Sequence, residues 1–222
     1  MSRRTYVAAL CAAALLLLVI GASARPLFGA TRTATAPVLT AAEIGFAQDM
    51  TVHHQQALLL AQRLDPAADQ PVRRVAQEIE YSQRYEIGIM QGWLRLAQAA
   101  PTAREPMAWM ASDMAGHGHH GSAATTSGTA LPSIGAAMPG MAAPAELDRL
   151  SVARGLDGEI LFLQLMLRHH QGGITMAQAI IEQTRTGAVL DVAREMLLTQ
   201  RKEIGFLSAL LVARNAEPLP FP

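Results

Sequence analysis

From Thr40 onward, apolar and polar residues alternate with the period of an α-helix. Phe46, Met50, His53, Ala57, Leu60 and Leu64 recur in steps of four and three and form one stripe. Thr40-Ala-Ala-Glu43 has the spacing of a capping box and starts this helix, and Asp65-Pro66 ends it. Asp69-Gln70-Pro71 opens a second helix, with Val72, Val75, Ile79, Ser82, Glu86, Ile89, Trp93 and Leu96 on its stripe and Pro101 closing it. A third stripe runs through Phe162, Met166, His169, Gly173, Met176 and Ile180. After Gly187 a fourth follows through Val189, Val192, Met196, Thr199, Glu203, Phe206 and Leu210. Between the second and third lie residues 101–144, rich in Pro, Gly, Ser, Thr, Met and His and almost without periodicity. They read as a long loop, followed by a short helix at about 145–153.

The third helix repeats the first. Residues 46–62 and 162–178 agree at eight of 17 positions, 116 residues apart, and His53-His54 and His169-His170 are among them. Gln83 likewise aligns with Gln200, and Glu86-Ile87-Gly88 with Glu203-Ile204-Gly205, at an offset of 117. The whole hairpin is therefore duplicated. Two independent hairpins would each leave an apolar face in water, so the pattern predicts an all-α fold. It is a four-helix up-and-down bundle built from two duplicated helical hairpins over residues 40–214.

Each residue of a helix advances about 100°. Met50 then falls between His53 and His54 on one face, and Met166, His169 and His170 repeat the arrangement. His53 and His169 lie on the core stripe itself, His54 and His170 on its flank. Glu86 and Glu203 also fall on core stripes, which is unusual for carboxylates. Such groups are costly in an apolar interior unless hydrogen-bonded or coordinated. One reading is a polar layer in which histidine bonds Glu, Gln, Ser82 or Thr199 and fixes helix register. The other is a metal site made by His53, His54, His169 and His170 with Met50, Met166 and Met176, and Glu86 and Glu203 behind them. Four histidines in duplicated pairs beside methionines favour metal, although neighbouring histidines diverge too far to require one shared ion.

Composition narrows the metal. Half of the 222 residues are hydrophobic, aromatics are only 5%, and the formal net charge is zero. No basic stripe marks a nucleic-acid partner. Arg3 and Arg4 precede an apolar run from about Tyr6 to Ile20, and Ala22-Ser23-Ala24 supplies a cleavage site, so residues 1–24 read as an export signal. The run is also long enough to tether an uncleaved chain to a membrane. Residues 25–39 are a flexible Thr/Ala/Pro tether. The one cysteine, Cys11, lies inside the signal, so the exported protein has no thiolate and any soft ligand is methionine. The loop holds Met107, Met110, Met114, His117, His119, His120, Met138 and Met141. Read as a solvent-exposed cluster, it is a second capture region in which thioether suits Cu(I) or Ag(I) and imidazole suits Cu(II), with other transition metals open. The chain carries no E-x-x-H, H-E-x-x-H, nucleophile elbow or phosphate loop, which disfavours a metal-dependent oxidoreductase and other enzymes.

Phe46 to Gln62, Gln83 to Leu94, Met138-Pro-Gly-Met141, Phe162 to Gln178 and Gln200 to Leu207 together resemble the bacterial family called domain of unknown function 305. The resemblance implies a bundle of ferritin-like shape, exported or membrane-tethered, and a tie in some members to copper or silver handling. The halves differ where Leu60 faces Met176 and Gln56-Ala57 faces Gly172-Gly173, so they are expected to differ in affinity or partner access.

Overall fold

The structure is a computed structural model that describes residues 5–7, 10, 12–18, 38–110 and 138–221. It divides into an N-terminal unit, residues 1–37, and a main unit, residues 38–222. In the first, residues 12–18 are helical and exposed. The expected cleavage site, most of the tether, and Met114, His117, His119 and His120 lie outside the described residues. Among the described residues no helix is long and apolar enough to cross a membrane.

The main unit is all-α, with no strand among its described residues. Its helices are α1 (Ala41–Arg63), α2 (Gln70–Leu96), α3 (Pro144–Val152), α4 (Gly155–Gln183) and α5 (Ala188–Val212). The Thr40 capping box forms as read. The Thr40 hydroxyl accepts the Glu43 N–H at 3.2 Å, and the Glu43 carboxylate accepts the Thr40 N–H at 2.7 Å. Helix α1 packs chiefly on α2 and α4, and α4 on α5, while α2 and α5 touch less. Two apolar clusters fill the interior. One gathers Leu60, Val72, Ile79, Phe162, Met166 and Leu207. The other gathers Phe46, Met50, Met90, Trp109, Met176 and Met196.

Every stripe position assigned to α1 and α4 is buried, Leu64 the least so at 7% exposed. On α2 and α5 the stripe departs from the expectation. The buried positions after Ile79 are Gln83, Glu86, Met90 and Leu94, and after Met196 they are Gln200, Glu203, Leu207 and Leu211. Leu96 and Phe206, expected inside, are exposed at 68% and 50%. The physical reason is that a glutamine on each helix occupies the core, and a hydropathy pattern steps past it.

The described ends of 101–144 are turns and irregular chain, but the solvent exposure expected of the loop needs correction at both. Trp109 is buried, crosses Phe46 edge to face at 5.6 Å, and Met107 and Met110 pack beside it. Met138 and Ala142 are buried as well, so these methionines are not the solvent-exposed cluster the composition suggested. Polar hooks on α1 hold the segment. Asp49 accepts the Met107 N–H at 2.7 Å and the Trp109 indole N–H at 2.9 Å. Gln56 accepts the Ala142 N–H at 2.6 Å and donates to its carbonyl at 2.9 Å. Apolar periodicity cannot register such hooks.

Trp109→Ala removes the indole from the cluster and one of the two donors of buried Asp49. It should cost about 3–5 kcal/mol of stability, read from urea unfolding. A loss under about 1 kcal/mol would mean that the segment is not anchored through this ring.

Candidate metal centre

A band of polar side chains lies between the two apolar clusters. His53, His54, His169 and His170 are all at most 1% exposed, so the flanking pair is as deep as the stripe pair. Helices α1 and α4 bring His53 and His169 into a tilted stack with ring centroids 3.8 Å apart. The neighbours on each helix stand 6.3 and 6.2 Å away, as about 100° of helical advance requires.

The outer pair repeats itself across the duplication. His54 Nε2 donates to Glu86 at 2.6 Å and His170 Nε2 to Glu203 at 2.8 Å. Ser82 of α2 donates to the other oxygen of Glu203 at 3.2 Å. The His170 Nδ1 lies 2.9 Å from the Met166 carbonyl. The inner pair turns to the backbone: His53 Nε2 donates to the Pro139 carbonyl at 3.1 Å, and His169 Nε2 to the His53 carbonyl at 2.9 Å. Carbonyls only accept, so both inner rings carry their proton on Nε2 and keep a lone pair on Nδ1. Nδ1 of His53, His54 and His169 has no hydrogen-bond partner although buried, and neither do Gln83 Oε1 and Gln200 Nε2.

Burial, first of all, pushes the His53 imidazole down to about 3. Repulsion from His54 adds to this and the Pro139 carbonyl opposes it, with a further lowering contribution from His170. His169 is held well below the ordinary range by burial, then by His53, His170 and His54. Both inner rings are therefore neutral at physiological pH, the form in which imidazole binds metal. Burial raises the Asp49 carboxyl against the two hydrogen bonds it accepts.

The methionines read with the histidines are all fully buried, but they do not gather at one point. Met50 and Met176 belong to one apolar cluster and Met166 to the other, so they flank the band from opposite sides. Among the described residues, no three His, Cys, Asp or Glu side chains converge as a metal-holding group. Two contributors escaped the sequence reading, and two more stood in it only as a repeat. Asp49, the Pro139 carbonyl and the paired Gln83 and Gln200 have no apolar signal. Gln83 and Gln200 were nevertheless visible as a duplicated match.

Folded His53 and His169 resist protonation relative to an unfolded value near 6.5. The unfolded chain takes up protons first as pH falls. The stability linked to these rings is thus complete above about pH 6.5 and erodes below it, down to about 3 for His53. The slope should be about 1 kcal/mol per pH unit for each ring. Urea unfolding at pH 7.5 and 5.5 should show the loss, and a pH-independent midpoint across that interval would contradict neutral burial.

No curated protein matches the chain. Solved structures do. A DUF305 protein from Streptomyces coelicolor, described as a secreted protein, is 34% identical, with 81% of this chain and 96% of that one covered and a TM-score of 0.67. A DUF305 fragment from Deinococcus radiodurans is 30% identical, covering 78% and 97%, at 0.61. CopM in its Cu(I)-bound form shares the fold at 20% identity, covering 77% and 96%, at 0.54. Together with a family match over residues 43–211, these relatives establish that the chain belongs to the family described as Domain of unknown function (DUF305).

Proposed function

We propose that this protein binds copper outside the cytoplasm, as a buffer, scavenger or tolerance factor, and that silver is an alternative cargo. The observation that carries the reading is the set of three buried, partnerless Nδ1 nitrogens on His53, His54 and His169. In each ring the opposite nitrogen is engaged by a carbonyl or carboxylate. That is how metal-binding imidazoles are oriented, with one nitrogen anchored and the other left for the ion. His53 and His169 would hold the ion, with His54 beside them. Glu86 orients His54, and Glu203 orients His170, the fourth histidine of the set. Met50, Met166 and Met176 supply thioethers from the apolar sides. His117, His119 and His120 would give weaker secondary sites. An exported location follows from the basic, apolar and small-residue order of the first 24 residues. The long helices are taken as a ferritin-like, up-and-down four-helix bundle made of two duplicated hairpins. That CopM has been solved with Cu(I) on a similar fold is in keeping with this reading.

A second reading has its own support, because all four Nε2 atoms are already hydrogen-bonded. On that reading the band is a structural layer that sets helix register.

Thermal melts with and without Cu(I) or Cu(II) separate the two. Metal at about 100 times its Kd should stabilise the wild type by about 2.7 kcal/mol, a rise of roughly 5–10 °C. His53→Ala and His169→Ala should each lose most of that rise, and the double variant little more, because one site acts as a unit. Under the structural reading the variants melt lower with or without metal and metal shifts none of them. Equal metal-induced shifts in wild type and double variant would sink the interhelical site.

A further inference from the structure

The segment Met138–Ala142 lies against the stacked histidines and is held there by polar contacts. Met138 is only 4% exposed, yet it belongs to neither apolar cluster. Proline in second position and glycine in third, with Gly140 at φ +76°, is the pattern of a type II β-turn. Such a turn brings its first and fourth Cα atoms within about 7 Å, so the Met138 and Met141 side chains leave the same base. The carbonyl at its centre, that of Pro139, receives the His53 N–H at 3.1 Å. On the α4 side the same carbonyl presses on Gly172, where a Cβ would lie 1.9 Å from its oxygen. Gln56 then clamps Ala142 from α1. The turn is therefore fixed to both helices that carry the inner histidines.

We propose that Met138 and Met141 form a paired thioether clip that completes the site, an inference that rests on the copper reading above. Thioether is a soft, neutral donor, so the clip takes a soft monovalent ion, Cu(I) or Ag(I), in preference to Cu(II). The Pro139 carbonyl keeps the proton of His53 on Nε2, which leaves Nδ1 for the ion. Gly172 and Gln56 are positioning residues: neither offers a donor to the metal, and both decide where the thioethers sit.

The test uses the wild-type chain, the double variant Met138→Leu/Met141→Leu, and Gly172→Ala. Leucine conserves volume. Alanine at 172 favours its helix and removes no donor while displacing the turn. Cu(I) affinity is read by competition with a chromophoric chelator, and sulfur coordination by X-ray absorption of the loaded protein. The double variant should lose the part of the sulfur scattering that Met138 and Met141 supply, and at least about tenfold in affinity at the tightest site, roughly 1.4 kcal/mol. Gly172→Ala should lose affinity with its helix content intact by circular dichroism. A wild type that binds no Cu(I) removes the copper reading itself. A wild type that binds, with affinity and sulfur signal unchanged in the double variant, overturns the clip alone.

Discussion

Four imidazoles, two carboxylates and two amides share the middle of the interior between two apolar clusters, and the packing around them has to meet their needs. Each is expensive there without a partner. The duplication supplies partners twice over: His54 to Glu86 on one hairpin, His170 to Glu203 on the other. These contacts join α2 to α1 and α5 to α4 at the level of the band. The inner rings have no carboxylate to meet and bond backbone carbonyls instead, one of them delivered by the Met138–Met141 turn. The band thus carries bonds between α1 and α2, between α4 and α5, between α1 and α4, and from α1 to the turn.

The two halves satisfy it differently. On α1, Asp49, His53 and Gln56 fall four and three residues apart and grip the flanking segment at three points. The matching positions on α4 are Leu165, His169 and Gly172. Only the histidine is kept. Leu165 is buried in the apolar cluster, and Gly172 makes room where Gln56 makes bonds. The difference between Gln56-Ala57 and Gly172-Gly173 thus has a mechanical meaning. Gly172 admits the Pro139 carbonyl, and Gly173 admits the Gln200 side chain, whose oxygen would stand 2.3 Å from a Cβ there.

Legibility in the sequence tracked chemistry. The stripes of α1 and α4 could be read because apolar residues or histidines occupy each stripe position from Phe46 to Leu60 and from Phe162 to Ile180, apart from Gly173. Those of α2 and α5 slipped at Gln83 and Gln200, where a polar side chain holds a core position and exposed neighbours such as Phe206 look more suitable. The histidine pairs and the two glutamates stood out through repetition, and their burial and mutual contacts agree with it. What could not be read was contact through backbone: the Pro139 carbonyl has no identity in a sequence. Nor does any hydropathy pattern mark Asp49, a buried carboxylate whose partner Trp109 lies 60 residues further along the chain.

Gly172 has a consequence for how such a molecule can be assembled. A symmetric dimer of one hairpin would place the same side chain at both equivalent positions. With glutamine at both, one copy would occupy the volume of the Pro139 carbonyl. With glycine at both, the clamp on Ala142 would vanish. A covalent tandem, in which the copies are free to diverge, allows one position to grip and its counterpart to yield. The same turn can then bond to one copy and pack against the other.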